Sequence, residues 1–147
     1  MVINTWKYPI KTARVSEIIN HVNETGDIEE YTLDDFEDLR NRTITRQLFD
    51  TLNIMILKLD STVDQVINKQ YITYKKNKNF VEIIPLKTGL KLLLDIPLEK
   101  LNDSRESCED VSDIGRWGTG LTRTYLKDEK DVNYIMDLIK QAYEYNL

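Results

Sequence analysis

The chain has 147 residues, 41% of them hydrophobic and 31% charged, with a formal net charge of −5, one cysteine and one histidine. That length gives a prior of one domain with a real core. A lone cysteine and His21 exclude an intrachain disulfide, a cysteine-based zinc site and a histidine cluster for a metal or a triad. No run approaches the roughly 18 consecutive apolar residues of a membrane span. The N-terminal MVINTWKYPIK also lacks the apolar stretch of a signal peptide, so a cytoplasmic protein with no membrane partner is expected.

Residues 1–11 alternate loosely, and Pro9 argues against a central strand; Trp6 and Tyr8 there are candidates to dock on the core, or on a second copy or partner protein. Val15, Ile18, Ile19 and Val22 predict a short helix that stops near Gly26, with His21 on its polar edge. Thr32-Leu-Asp-Asp35 has the shape of a capping box and predicts a short helix. Residues 44–59 predict a longer helix with Ile44, Leu48, Leu52, Met55, Ile56 and Leu59 as its apolar stripe, widened by Phe49. Val63, Val66 and Ile67 suggest one further helical turn. The period then changes. Residues 71–75, 80–84 and 90–96 read as strands joined by turns at 76–79 and Pro85–Gly89, which makes an antiparallel meander. Leu90, Leu92, Leu94 and Ile96 share one face of the third strand, with Lys91 and Asp95 on the other. Residues 98–110 are polar with room for a helical turn, residues 121–126 read as a fourth strand, and residues 129–145 as a closing helix. Val132, Ile135, Met136, Ile139, Ala142 and Tyr143 form its apolar face.

Charge is unevenly placed along this series. Residues 61–97 carry a net +3 between two stretches of −4 each, so a basic sheet region lies between acidic ends. Such a protein is no obvious duplex-DNA binder, because nonspecific affinity comes from neutralising phosphates. A local site for an anion or a nucleic acid remains compatible with it. Two groups of residues are candidates. Tyr71 and Lys75 lie on one side of a strand, where aromatic rings and lysines bind nucleotides by stacking and phosphate contact, and Lys87 and Lys91 lie close by in sequence. The segment Asp110-Val-Ser-Asp-Ile-Gly-Arg-Trp-Gly-Thr-Gly120 sets Arg116 and Trp117 between glycines, pairing an anion clamp with a stacking surface. For both groups the alternative is structural: core rings and solvated lysines. The glycine spacing fits neither a phosphate-binding nor a dinucleotide fingerprint. Ser112 and Cys108 have no base near them in sequence, and no carboxylates are spaced to force two into one cleft, so no catalytic residue, metal or cofactor is assigned.

Residues from about 31 to 145 resemble a bacterial and archaeal domain family of unknown function whose members often carry the label "predicted transport protein". The resemblance runs through Tyr31-Thr-Leu-Asp-Asp35, Leu48-Phe49, Tyr71-Ile-Thr-Tyr-Lys75, Asn79-Phe-Val-Glu-Ile-Ile-Pro85, Lys87 and Gly89-Leu-Lys-Leu92. It continues through Asp110-Val-Ser-Asp-Ile-Gly115, Trp117-Gly118 and Ile139-Lys-Gln-Ala-Tyr-Glu144. In that family the domain commonly follows ParB-like nuclease-related domains of modification-dependent restriction systems. The resemblance therefore implies an accessory or recognition role in prokaryotic defence. Where the family usually has histidine before Trp117, this chain has Arg116, which stays charged and cannot act as a general base there. Nothing in the composition supports transport across a membrane.

The expected architecture is α+β: a four-stranded, mainly antiparallel sheet over residues 71–126, covered on one face by helices 44–59 and 129–145. Residues 1–30 form an N-terminal helical extension and 31–147 a single domain. The expected function is a non-enzymatic binding module for a nucleic acid or nucleotide-like anion, using Tyr71, Lys75, Lys87, Lys91, Arg116 and Trp117. The alternatives are a protein–protein interaction or scaffold domain, dimeric or partnered through Trp6 and Tyr8, and an enzyme that processes nucleotides or nucleic acid.

Overall fold

Two segments of alternating and 3.6-residue hydrophobic periodicity meet in one layer each: a sheet, and a pair of helices laid on one of its faces. A computed structural model of the chain describes residues 30–114 and 120–147. The expectations for residues 1–29, with Trp6, Tyr8 and His21, and for Arg116 and Trp117 lie outside the described residues. Thr32–Leu147 is one compact unit, and every element below belongs to it.

The segment after Thr32 forms two 3-10 turns, Leu33–Asp35 and Glu37–Leu39, rather than a helix. The Asp35 carboxylate accepts from the Thr32 backbone N–H at 2.8 Å, the reach-back of the expected capping box. The turns set Phe36 and Leu39 into the core. Helix α1 (Ile44–Leu57) starts at Thr43, whose hydroxyl accepts from the Arg46 N–H at 3.0 Å and donates to the Asp38 carbonyl. Its buried side is Thr45, Leu48, Phe49, Leu52, Asn53 and Ile56. Ile44 is exposed, contrary to expectation. The stripe begins one residue later, because the Thr45 hydroxyl donates to the Leu86 carbonyl at 2.7 Å and anchors the first turn on the sheet.

The sheet has six strands, all antiparallel, in the order β1 (Asp64–Ile67), β2 (Ile72–Lys75), β3 (Asn79–Leu86), β4 (Gly89–Leu94), β6 (Thr122–Leu126), β5 (Glu109–Asp110). The four strands expected from sequence are its centre, and both edges were missed. Val63, Val66 and Ile67 form no helical turn: the chain folds back through the Asn68 N–H to Tyr71 carbonyl bond at 2.9 Å and pairs β1 with β2. Four residues are too few for periodicity to tell a strand from a helix. Strand β5 is two charged residues, a short edge of the kind that resists pairing with other chains. Pro85 lies within β3, not in a turn. Its neighbours Leu86 and Gly89 flank a two-residue loop and exchange the ladder bonds, so the Pro85 nitrogen points away from β4, beyond the last β2–β3 pair at Ile72 and Ile83.

Side chains alternate across the sheet as predicted. Ile72, Tyr74, Val81, Ile83, Leu90, Leu92, Leu94 and Leu126 join the core with both helices. A register shift beside Tyr74 and Lys75 makes Phe80 an extra residue, and its ring packs edge-on against Tyr143 of helix α2 (Val132–Tyr145) at 5.3 Å. The Tyr74 hydroxyl donates to Asn53 Oδ1 at 2.7 Å, and Gln65 donates to the same oxygen at 2.6 Å, which ties α1 to β1 and β2 through a polar contact inside the core. At the far end Asn146 donates to the Asp95 carbonyl at 2.7 Å and holds the α2 terminus on the sheet.

Candidate functional site

The other face of the sheet carries the residues that alternate away from the core. Its middle row, in register across all six strands, is Val66, Thr73, Glu82, Leu93, Arg123 and Glu109. One row nearer the β3–β4 hairpin stand Ile84, Lys91 and Tyr125, and Tyr71 extends the same face from the start of β2. On the opposite side lie Asp64, Lys75 and Asn79. The structure thus brings Tyr71, Lys75 and Lys91 to one face. It does not bring them together, since Tyr71 and Lys75 are four residues apart, roughly 13 Å along a strand.

The two halves of this face differ electrostatically. In the β2–β3 half, Glu82 is only 2% exposed and lies beside Thr73 and Leu93. Burial, and next the Glu82 charge, pushes the Tyr71 hydroxyl above the usual tyrosine range. Lys75 faces Asp64 across the β1–β2 pair.

The β4–β6 half is cationic. Tyr125 is 39% exposed; the Lys127 ammonium is 5.4 Å and the Arg123 guanidinium 6.0 Å from its ring centroid. Lys91 is its cross-strand neighbour, near enough for the side chains to touch. Arg123 Nε is 2.9 Å from Glu109 Oε1; that hydrogen bond lowers the Glu109 carboxyl and raises the Arg123 guanidinium from their ordinary values. Lys87, in the two-residue loop, is exposed at the same end of the sheet. The loop is pressed against β6: a Cβ on Gly89 would sit 2.4 Å from the Leu126 carbonyl and 3.1 Å from the Lys127 Cα. That close approach sets the lysines of β4 and its loop beside the end of β6. Among the described residues, Lys87, Lys91 and Lys127 make no ion pair.

Arg123, Tyr125 and Lys127 were not singled out from the sequence. The signal was present: in Leu-Thr-Arg-Thr-Tyr-Leu the small Thr122 and Thr124 alternate with Arg123 and Tyr125, so burying Leu126 turns both larger side chains outward with Lys91.

Other polar clusters are structural. Asp60 takes Lys76 Nζ at 2.6 Å and the Tyr143 hydroxyl at 3.2 Å on one oxygen, and the Thr62 N–H at 2.8 Å on the other. Its carboxyl lies far below the usual carboxylate range, first through Lys76 and then through Thr62. The Asp103 carboxylate accepts from the hydroxyls of Tyr134 and Ser107 and from the Cys108 N–H. Burial pushes the Cys108 thiol up to about 11, which makes it a poor nucleophile. A cleft of about 320 Å³ is lined by Pro97, Leu98, Glu99, Asp110, Ser112 and Leu121. Among the described residues its charged lining groups are Glu99 and Asp110, and the Ser112 hydroxyl donates to Asp110 at 2.7 Å. Among the described residues no group of three or more His, Cys, Asp or Glu is arranged to hold a metal ion, and no helix is long and apolar enough to cross a membrane.

Fold and face together define an α+β domain with an antiparallel sheet, helices on one side and a cation–aromatic corner on the other. The chain belongs to the family described as "Domain of unknown function (DUF5655)", whose sequence pattern matches residues 34–146. It is similar to an uncharacterized protein of Haemophilus influenzae, 32% identical over 97 residues, a stretch covering 66% of this chain and 32% of that protein. The chain therefore matches about a third of that relative's length. No solved structure matches it.

Proposed function

We propose that this domain, over residues 31–147, is a non-enzymatic module that binds an anionic ligand, a nucleic acid or a nucleotide-like phosphate, on the β4–β6 half of its sheet. The observation that carries the reading is Tyr125, exposed between Lys127 and Arg123 with Lys91 beside it. Three lysines without a carboxylate partner among the described residues supply charge for phosphate, and the ring supplies a surface for a planar group. Lys87 and Lys91 of the residues singled out from sequence belong to this site, Tyr71 and Lys75 lie toward the other end of the face, and Arg116 and Trp117 are assigned to the same ligand on their chemistry alone. The raised Cys108 thiol is a poor nucleophile, which accords with binding rather than catalysis at that residue. The match to part of a longer relative supports a module joined to other domains, in keeping with an accessory role in prokaryotic defence.

The test is charge reversal. Fluorescence anisotropy of a labelled oligonucleotide of about 15 nucleotides at roughly 50 mM salt should show binding by the wild type, and loss of it in a Lys91→Glu, Lys127→Glu double variant that melts like wild type. Equal binding by the variant, or none by the wild type, overturns the reading.

A further inference from the structure

The geometry points to single-stranded nucleic acid as the ligand of this corner, with one unpaired base stacked on Tyr125 and the flanking phosphates held by Arg123 and Lys127. The inference rests on the anion-binding reading above and adds the ligand class to it. Arg123, Tyr125 and Lys127 occupy alternate positions along β6 and its continuation, so all three side chains leave the same face about 6.7 Å apart. That step is comparable to the spacing of successive phosphates along an extended single strand. The Lys127 ammonium and the Arg123 guanidinium lie over the ring, 5.4 and 6.0 Å from its centroid, so a base that stacks there moves these long side chains aside toward its flanking phosphates. Lys91 flanks the ring from the adjacent strand and widens the positive track across the sheet.

The charge around this track argues against a duplex. Glu109 stands at the β5 edge of the face, and the chain beyond Lys127 continues with Asp128 and Glu129. Among the described residues the cationic zone is therefore one strand-pair wide, too narrow to neutralise phosphates across a double helix. Paired and stacked bases also hide the faces that an aromatic side chain needs, whereas an open strand offers them regardless of sequence.

The experiment compares four probes of equal length by anisotropy: oligo(dT), oligo(U), a blunt duplex and an abasic deoxyribose-phosphate strand. The wild type should bind both single strands about tenfold or more tightly than the abasic strand, and more tightly than the duplex. Tyr125→Leu should abolish the preference over the abasic strand, Tyr125→Phe should keep it, and both should melt like wild type because the ring is exposed. A difference between oligo(dT) and oligo(U) tells DNA from RNA. Equal binding of oligo(dT) and the abasic strand, with Tyr125→Leu like wild type, overturns the stacking inference and leaves anion binding standing. Tighter binding of the duplex also overturns it. Binding of no probe overturns both.

Discussion

Gly89 is a position where one added methyl group should do damage out of proportion to its size. Its φ of +149° is one that residues with a side chain rarely adopt, and a Cβ there would lie 2.4 Å from the Leu126 carbonyl oxygen. That oxygen belongs to the backbone of β6, which pairs with β4 along its length, so the clash cannot be relieved by turning a side chain. The conformational cost is about 1–3 kcal/mol, and forcing the β3–β4 loop away from β6 adds about 1–3 kcal/mol. Gly89→Ala should therefore destabilise the domain by roughly 2–6 kcal/mol. At about 4 °C per kcal/mol for a domain of this size, the melting temperature should fall by about 8–24 °C. Thr88→Ala in the same loop is the control, and as an exposed change it should cost less than about 0.5 kcal/mol. Thermal denaturation followed by circular dichroism measures both. A Gly89→Ala protein melting within about 3 °C of wild type would show that the loop is not pressed on β6 as described. It would also undo the placement of Lys87 and Lys91 beside Lys127.

Two further predictions concern side-chain chemistry. The folded Asp60 carboxyl lies below its unfolded value near 3.9, so its contribution to stability is present above that pH and fades as pH falls below it. Asp60→Asn should melt below wild type at neutral pH, with the gap narrowing below about pH 4; a gap that holds constant or widens there contradicts the Lys76–Asp60–Tyr143 contact. Cys108, raised to about 11 and the chain's one cysteine, should react with iodoacetamide at pH 8 about two orders of magnitude more slowly than a free thiol. Mass spectrometry reads the modification directly, and labelling at the rate of free cysteine would show the thiol to be exposed.

The parts of the fold that were legible in the sequence are those where periodicity runs long enough to average. Leu90, Leu92 and Leu94 alternate with Lys91, and Val132, Ile135, Met136 and Ile139 repeat at helical spacing; both sets are buried as expected. The edges were not legible, because their pairing is set by neighbours rather than by their own residues. Val63, Val66 and Ile67 fit a helical turn in isolation, and only the hairpin with β2 makes Asp64–Ile67 a strand. Glu109–Asp110 is too short to carry a pattern and is a strand because Arg123 and Thr122 lie opposite. The candidate site was half legible. Lys91 was placed on the outward face of its strand from alternation alone, but its cross-strand partner Tyr125 depends on the β4–β6 register across an intervening segment. Nor does sequence reveal that Glu82 is buried within the face that also carries Tyr71 and Lys75, which moves the cationic ground toward β6.

The claim that this corner binds phosphate through its lysines is tested most directly by the salt dependence of oligo(dT) affinity in wild type and Lys91→Ala. Neutralisation of about three phosphates by Lys87, Lys91 and Lys127 predicts a slope of log K against log salt near −2.1, and thus roughly eighteenfold weaker binding at 200 than at 50 mM. Lys91→Ala should bind more weakly and reduce the slope by about 0.7. A wild-type affinity that ignores salt, or a variant with the same affinity and slope as wild type, would contradict the assignment.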